Sequence, residues 1–359
     1  MCCLGAAIVF IGACVPAAAP TPTEGAASSP TTGPTAQSTP TPGSPTPTQS
    51  VQETIEATPT TASSTPTPTS TPGGDSVTLL ASIESGAAPC AMTELGGSMW
   101  VTNYRGSSVT QIDGARNEVL GEYEVGGGPC GIASDGEQLW IGLISGGSVV
   151  RFDPTALEVT AEIELDGDPW DVQFGHGSVW VAVRQTDDVL RIDPESAEIL
   201  ATIPSTGGIV TGLVVTSTEI WVANLSSAKL TRIDPSSNET VGDIEVEGGP
   251  YWMAAGPDSV LVSISDHGRA VLIDAMTAEV VANIDVGTQP RDPGFVDGLF
   301  WMPNQSDASV SLIDPATAEV VDTLKVPDVA GIFVIDGFLG DAWILDFQGT
   351  HTLRVAPQP

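Results

Sequence analysis

A tryptophan, or a residue standing in its place, recurs about every 40 residues at Trp100, Trp140, Trp180, Trp221, Leu261, Trp301 and Trp343. Twelve residues after each of the first six comes an Ile-Asp or Phe-Asp pair: Asp113, Asp153, Asp193, Asp234, Asp274 and Asp314. A period of this size belongs to solenoids and propellers, in which one supersecondary unit cannot bury its own apolar face and must stack on a copy of itself. The unit around Trp180 holds four short β-rich runs, separated by Gly-His-Gly, a polar Arg184–Asp188 stretch and Asp193-Pro194. Four strands per 40 residues make a propeller blade, and no segment carries a sustained helical period.

An apolar anchor in the fourth run recurs at Tyr123, Ile163, Ile203, Ile244, Ile284 and Leu324, which completes six units. The seventh ends after its third run. Residues 76–83 supply the missing strand and place Ile83 in register 40 residues before Tyr123. The expected fold is all-β: a seven-bladed propeller of four-stranded blades over residues 75–359, closed by an N-terminal strand that hides both open edges. The tryptophans are expected to pack between blades, and the Asp-Pro pairs to cap Asx turns rather than bind metal.

Residues 15–74 contain 13 prolines, many Thr and Ser, and almost no large apolar side chains. Such a stretch buries too little surface to offset its ordering entropy, so residues 14–74 read as a disordered tether. The repeat region carries 42 of the 45 acidic residues and all 11 basic ones. That balance argues against nucleic acid and anionic lipid as direct partners, whose affinity rests on Lys and Arg contacts to phosphate.

The N-terminus adds an address. Residues 4–13 are apolar, too short to span a bilayer, and suited to a signal-peptide core. Ile11-Gly12-Ala13-Cys14 resembles the bacterial lipobox, although no Lys or Arg precedes the apolar run. The resemblance implies that residues 1–13 are removed, that Cys14 is lipidated, and that the protein is exported and anchored to the outer face of the cell membrane. An ordinary cleaved signal is the alternative. Cys90 and Cys130 remain in the repeat region at equivalent positions of neighbouring units. A disulfide between them suits an oxidising compartment. Adjacent inner strands are expected to hold them beyond bridging distance, which favours two separate buried thiols.

The runs Trp100-Val-Thr-Asn103 and Trp221-Val-Ala-Asn224, with Arg-Ile-Asp-Pro at 191–194 and 232–235, resemble the YVTN (YncE-type) β-propeller repeat family. That family is related in pattern to streptogramin lyase propellers. The first resemblance implies the fold; the second would imply a divalent cation and acid–base histidines. This chain has only His176, His267 and His351.

In a propeller the first strands line the central channel. One residue past each Pro-type position stand Cys90, Cys130, Trp170, Thr211, Tyr251 and Arg291, followed by Ala91, Gly131, Asp171, Gly212, Trp252 and Asp292. The second-to-third-strand loops add Arg105, Arg184, Lys229, His267, Arg269 and Gln305 on the same expected face. Two readings of this ring stand side by side. In one, Trp170, Tyr251 and Trp252 wall a pocket in which Arg291 anchors an anion and Asp171, Asp292 and His267 contribute. In the other, the channel is irregularly plugged and Arg291 is paired with Asp292 or Asp171. The functional expectation is a monomeric platform for an extracellular protein, a glycan or a small anionic ligand. The alternative is a metal-dependent lyase or hydrolase using His267, Asp171 and Asp292.

Overall fold

Each repeat folds as an antiparallel meander. In the first blade the strands are Pro89–Leu95, Ser98–Asn103, Ser108–Asp113 and Glu118–Glu124, paired in chain order from the channel outward. The computed structural model describes residues 76–264 and 267–356, and these hold seven such four-stranded sheets. The lipobox-like segment, Cys14 and the Thr/Pro-rich stretch to residue 74 lie outside the described residues.

The seventh blade has the composite build expected of it. Ile332–Phe338, Asp341–Asp346 and His351–Ala356 are its inner three strands, and Thr78–Glu84 is the outermost, with Ile83 opposite Thr352. The N-terminal segment also reaches the sixth blade, since the Val77 amide donates to the Lys325 carbonyl at 2.9 Å. One short stretch of chain therefore ties the last two blades to each other.

The apolar interior divides into seven clusters, and each lies between consecutive blades. Trp100 packs with Ile132, Leu139, Ile141 and Phe152 of the next blade. Trp140, Trp180, Trp221 and Trp301 repeat this contact, and Leu261 takes the tryptophan's place against Phe300 and Ile313. Trp343 closes the ring against Met99, Val101 and Ile112 of the first blade. All six of these tryptophans are at most 1% exposed, which settles them as interblade packing.

The recurrent polar residues are structural as well. Asp153 and Asp193 each accept backbone N–H bonds from the residues two and three ahead, and Asp234 and Asp314 from the residue two ahead, the Asx turns expected of the Asp-Pro pairs. Asp113 and Asp274, without a following proline, make the same turn. The Asn that ends the Trp-Val-x-Asn runs is buried: Asn103 donates to Ser108 and Thr110, and Asn224 to Thr231. Basic residues latch blade to blade. Arg151 donates to the Pro194 and Glu195 carbonyls, Arg191 to the Pro235 carbonyl and Asn238, and Arg354 to the Gly114 carbonyl and Asn117.

Ile83 is 5% exposed and sits in the cluster that joins the last blade to the first. Truncating it in Ile83→Ala is expected to destabilise the domain by about 2–5 kcal/mol, read as a lowered urea midpoint with unchanged slope.

Candidate functional site

Every first strand carries one more residue near its start than the second strand opposite. Pro89 faces Asn103 while Met92 faces Val101, and Pro169 faces Val183 while Val172 faces Val181. The same offset appears in the other five blades. A bulge of this kind bends the strand and re-aims its side chains, and here the two residues after the Pro-type position are the ones turned to the channel mouth. Some of them are small. A Cβ on Gly131 would meet the Val172 amide nitrogen at 2.8 Å, so glycine is what allows the third blade's inner strand to come this close.

The mouth is a chamber of about 220 Å³ lined by Tyr104, Trp170, Trp252, Phe333 and Phe347, with the Cys90–Cys130 pair, Asp171 and Asp292. Its aromatic residues form a continuous arc. Tyr251 lies 3.9 Å from Trp252 between ring centres, Trp252 meets Phe333 edge-on at 5.1 Å, and Phe333 stacks on Phe347 at 4.9 Å. Tyr104 continues the arc at 6.2 Å from Phe347. On the far side the Arg184 guanidinium lies 3.3 Å from the Trp170 ring centre and donates to the Tyr251 hydroxyl at 2.8 Å.

Arg291 belongs to the rim, not to the carboxylates beside it. Its guanidinium donates to Gln305 Oε1 at 2.9 and 2.7 Å and lies 5.5 Å from the Trp252 ring and 5.8 Å from the Phe333 ring. The pairing of Arg291 with Asp292 or Asp171 considered above is therefore not made. Arg105 lies 5.9 Å from the Phe347 ring centre. Among the described residues, Arg105, Arg184 and Arg291 form no ion pair, whereas Arg116, Lys229, Arg232, Arg269 and Arg354 each do.

Asp171 and Asp292 also face a second chamber of about 490 Å³ further along the channel, where Asp336 joins them. Asp171 accepts the Leu213 amide at 2.7 Å and its neighbour Val172's amide at 2.8 Å. Asp292 is held by its backbone: its amide donates to the Phe333 carbonyl at 3.1 Å and its carbonyl accepts from the Ile335 amide at 3.2 Å. Its carboxyl group accepts no hydrogen bond among the described residues. All three carboxyl groups keep some surface toward the channel but are enclosed by its wall. Burial pushes Asp171 up to about 6, against the lowering effect of its hydrogen bonds, and pushes Asp336 up to about 6. Asp292 stands well above the usual carboxylate range because of burial first and the charges of Asp171 and Asp336 second.

Four of the residues singled out from sequence, Trp170, Asp171, Trp252 and Asp292, line the mouth chamber together, and Tyr251 and Arg291 back its wall. His267 is not with them. It is exposed in the loop after Ser259–Ile264, beside Gly248, and lines neither chamber. His176 contacts the Thr216 carbonyl in a first-to-second-strand turn, and His351 sits on the seventh blade's third strand. Among the described residues no group of three or more His, Cys, Asp and Glu side chains is placed to hold a metal ion. The residues present therefore do not fit the divalent cation that the lyase resemblance implies.

Cys90 and Cys130 correct another expectation: their Cα atoms are 5.0 Å apart and the sulfurs are bonded. The first strands converge at the axis more tightly than the expectation of two separate thiols allowed. Tyr104, Phe333, Phe347 and Asp336 were not anticipated. Phe333 was missed because the seventh blade starts Ile332-Phe333, without the proline that registers five of the other six.

No family model matches the sequence, and no curated protein matches it either. Solved structures do resemble it in fold. A catalytically inactive virginiamycin B lyase from Staphylococcus aureus with quinupristin has a TM-score of 0.67 at 15% identity, over 76% of this chain and 95% of that one. Hydrazine synthase from Kuenenia stuttgartiensis has a TM-score of 0.66 at 15% identity, over 75% and 96%. The Cps50 (Swd1) β-propeller domain of Myceliophteria thermophila has a TM-score of 0.68 at 12% identity, over 79% and 100%. At this identity the likeness establishes the seven-bladed propeller and nothing about activity.

Two predictions follow from the channel. The folded form holds protons on Asp171, Asp292 and Asp336 that the unfolded chain releases, because their folded-state pKa values are raised. The stability this contributes is fully present below the ordinary value of 3.8 and is lost as pH rises through about 6. Asp336→Asn is expected to raise Tm relative to the unsubstituted protein at pH 8 and to leave it unchanged near pH 3, in calorimetric scans. The disulfide closes a loop with a sequence separation of 40. Replacing both cysteines by serine should lower the unfolding free energy by about 3–4 kcal/mol in a denaturant titration.

Proposed function

We propose that the chain is an exported, surface-tethered propeller of the YVTN type that acts as a binding platform, with its ligand at the aromatic and arginine-rich mouth. The observation that carries this reading is the placement of Arg105, Arg184 and Arg291. In a chain with 45 acidic and 11 basic residues, these three lie against aromatic rings at one opening and form no ion pair among the described residues. A guanidinium on an aromatic face keeps donors available for an incoming carboxylate, sulfate or phosphate. An acidic small molecule, an acidic glycan or an acidic patch of an extracellular protein has the matching chemistry. A monomer is part of this reading, and the N-terminal strand that completes the last blade supports it.

The N-terminal apolar run, the lipobox-like Ile11–Cys14 and the Pro/Thr-rich stretch support export and anchoring on the outer face of the membrane. The Cys90–Cys130 bond suits an oxidising compartment. A lyase-like activity finds no support in the mouth, because none of the three histidines lines it.

The test is binding of the full chain to an array of carboxylated and sulfated glycans and small acids. Arg184→Ala and Arg291→Ala should each weaken the strongest hit at least tenfold with Tm held within a few degrees, and added salt should weaken it further. Equal affinity in both variants would rule the rim out as the site.

A further inference from the structure

We propose that the chamber inside the mouth binds an organic ammonium group, walled by the rings of Tyr104, Trp170, Trp252 and Phe347 and met by the carboxyl group of Asp292. The inference rests on the reading of the mouth as a binding site and narrows its ligand: a small cation or zwitterion, with the ammonium inward and any anionic group at the arginine rim.

Three features of the chamber point this way. The first is its wall. A chamber of about 220 Å³ lined by five aromatic side chains presents ring faces and edges on several sides, the environment in which a desolvated ammonium is stabilised by the negative faces of the rings. Its size falls below the range of sites for larger organic ligands and suits a small one.

The second is Asp292. Its backbone is fixed between the sixth and seventh blades by the Phe333 and Ile335 hydrogen bonds. Its carboxyl group faces the chamber, yet no donor among the described residues reaches it. The group is half-buried and keeps some surface toward the channel, so water can serve it when the chamber is empty, and an apolar ligand would remove that water at a cost. A cation in the same space supplies the missing partner. Burial and the neighbouring Asp171 and Asp336 already oppose ionisation of this group, so a cation against it is what would hold it as a carboxylate.

The third is the order of charge along the axis. Arg105, Arg184 and Arg291 lie at the rim, against the outer aromatic residues, and Asp171 and Asp292 close the inner end. An anion would find its partners at the rim and repulsion deeper in. A hard divalent cation would find aromatic faces where it needs oxygen ligands. An ammonium group satisfies the inner end, and a zwitterion satisfies both.

The experiment is isothermal titration of the full chain with choline and, in parallel, with its neutral tert-butyl isostere, an alcohol of the same shape with carbon in place of the charged nitrogen. The expected result is saturable choline binding, with the isostere at least tenfold weaker. Asp292→Asn should weaken choline at least tenfold. Because that variant could lose its fold, Phe347→Leu provides a second arm at a half-buried position and should also weaken choline. Equal affinity for choline and the isostere would overturn the proposal, as would choline binding unchanged by both substitutions. If choline fails to bind a folded protein that still binds an acidic ligand through Arg184 and Arg291, the ammonium assignment falls and the platform stands. If neither binds, both fall.

Discussion

Each blade of this protein is amphipathic on both faces, so no blade has a core of its own. The seven apolar clusters all lie between blades, from the Trp100 cluster round to the Trp343 cluster that meets the first blade again. In an open stack of seven units, one such interface would be exposed at each end, together with two unpaired strand edges. The pairing of Thr78–Glu84 with His351–Ala356 removes both defects at once. The rigid channel, and every side chain aimed into it, depends on that closure, because the first strands take their spacing from the ring and not from contacts within a blade.

The ring also decides how the scarce positive charge is used. Arg151, Arg191 and Arg354 occupy equivalent places on third strands and hand their guanidinium donors to carbonyl groups in the next blade's Asx turn. They cover the outer tryptophan-bearing interface at the end of the propeller away from the mouth. Lys229, Arg232 and Arg269 are engaged by Asp243, Glu219 and Glu247. The arginines at the mouth share with Arg151 and Arg191 partners that are rings and uncharged oxygens, and differ in lying at the channel opening. On a surface with a large excess of acidic groups, three guanidinium groups without a carboxylate among the described residues are gathered at one opening of the channel.

The period and the fourth-strand anchors made the architecture legible because they are the direct record of a unit that must stack on its neighbour. The same register pointed to Trp170, Asp171, Trp252 and Asp292, which do meet at the mouth. It failed where the repeat is broken. Phe333 follows Ile332 where six blades have proline or, in one case, Val210, and Asp336 lies two positions further in than the ring that was read. Tyr104 and Phe347 follow the second strand, at positions that vary freely from blade to blade and that only the fold brings to the axis. His267 is the third residue after its second strand, whereas Tyr104 and Phe347 are the first after theirs, and it lines neither chamber, so a shared face did not translate into a shared site. The cysteine distance could not be read from register either. It depends on how steeply the first strands converge, and Gly131 shows how close that approach is.

A propeller in which all seven inner strands were alike would have a channel of sevenfold chemical monotony. Here the structural positions stay uniform, with tryptophan at six of seven blades and the Asx turn at most of them, while the channel positions range from glycine to tryptophan to aspartate. Packing gives no reason for that range: Gly212 and Trp252 occupy the same place on neighbouring strands. Three carboxyl groups raised by burial, one of them without a hydrogen-bond partner among the described residues, are a standing cost to folding above neutral pH. A scaffold selected only for stability would place serine or valine there, as it does at Val214 and Val334 on the same ring walls. The fold's relatives include a lyase and a hydrazine synthase, so the scaffold does not choose among activities. What distinguishes this chain is the set of costly, non-repeating groups its ring holds at one mouth, and the mouth is therefore where its function is to be sought.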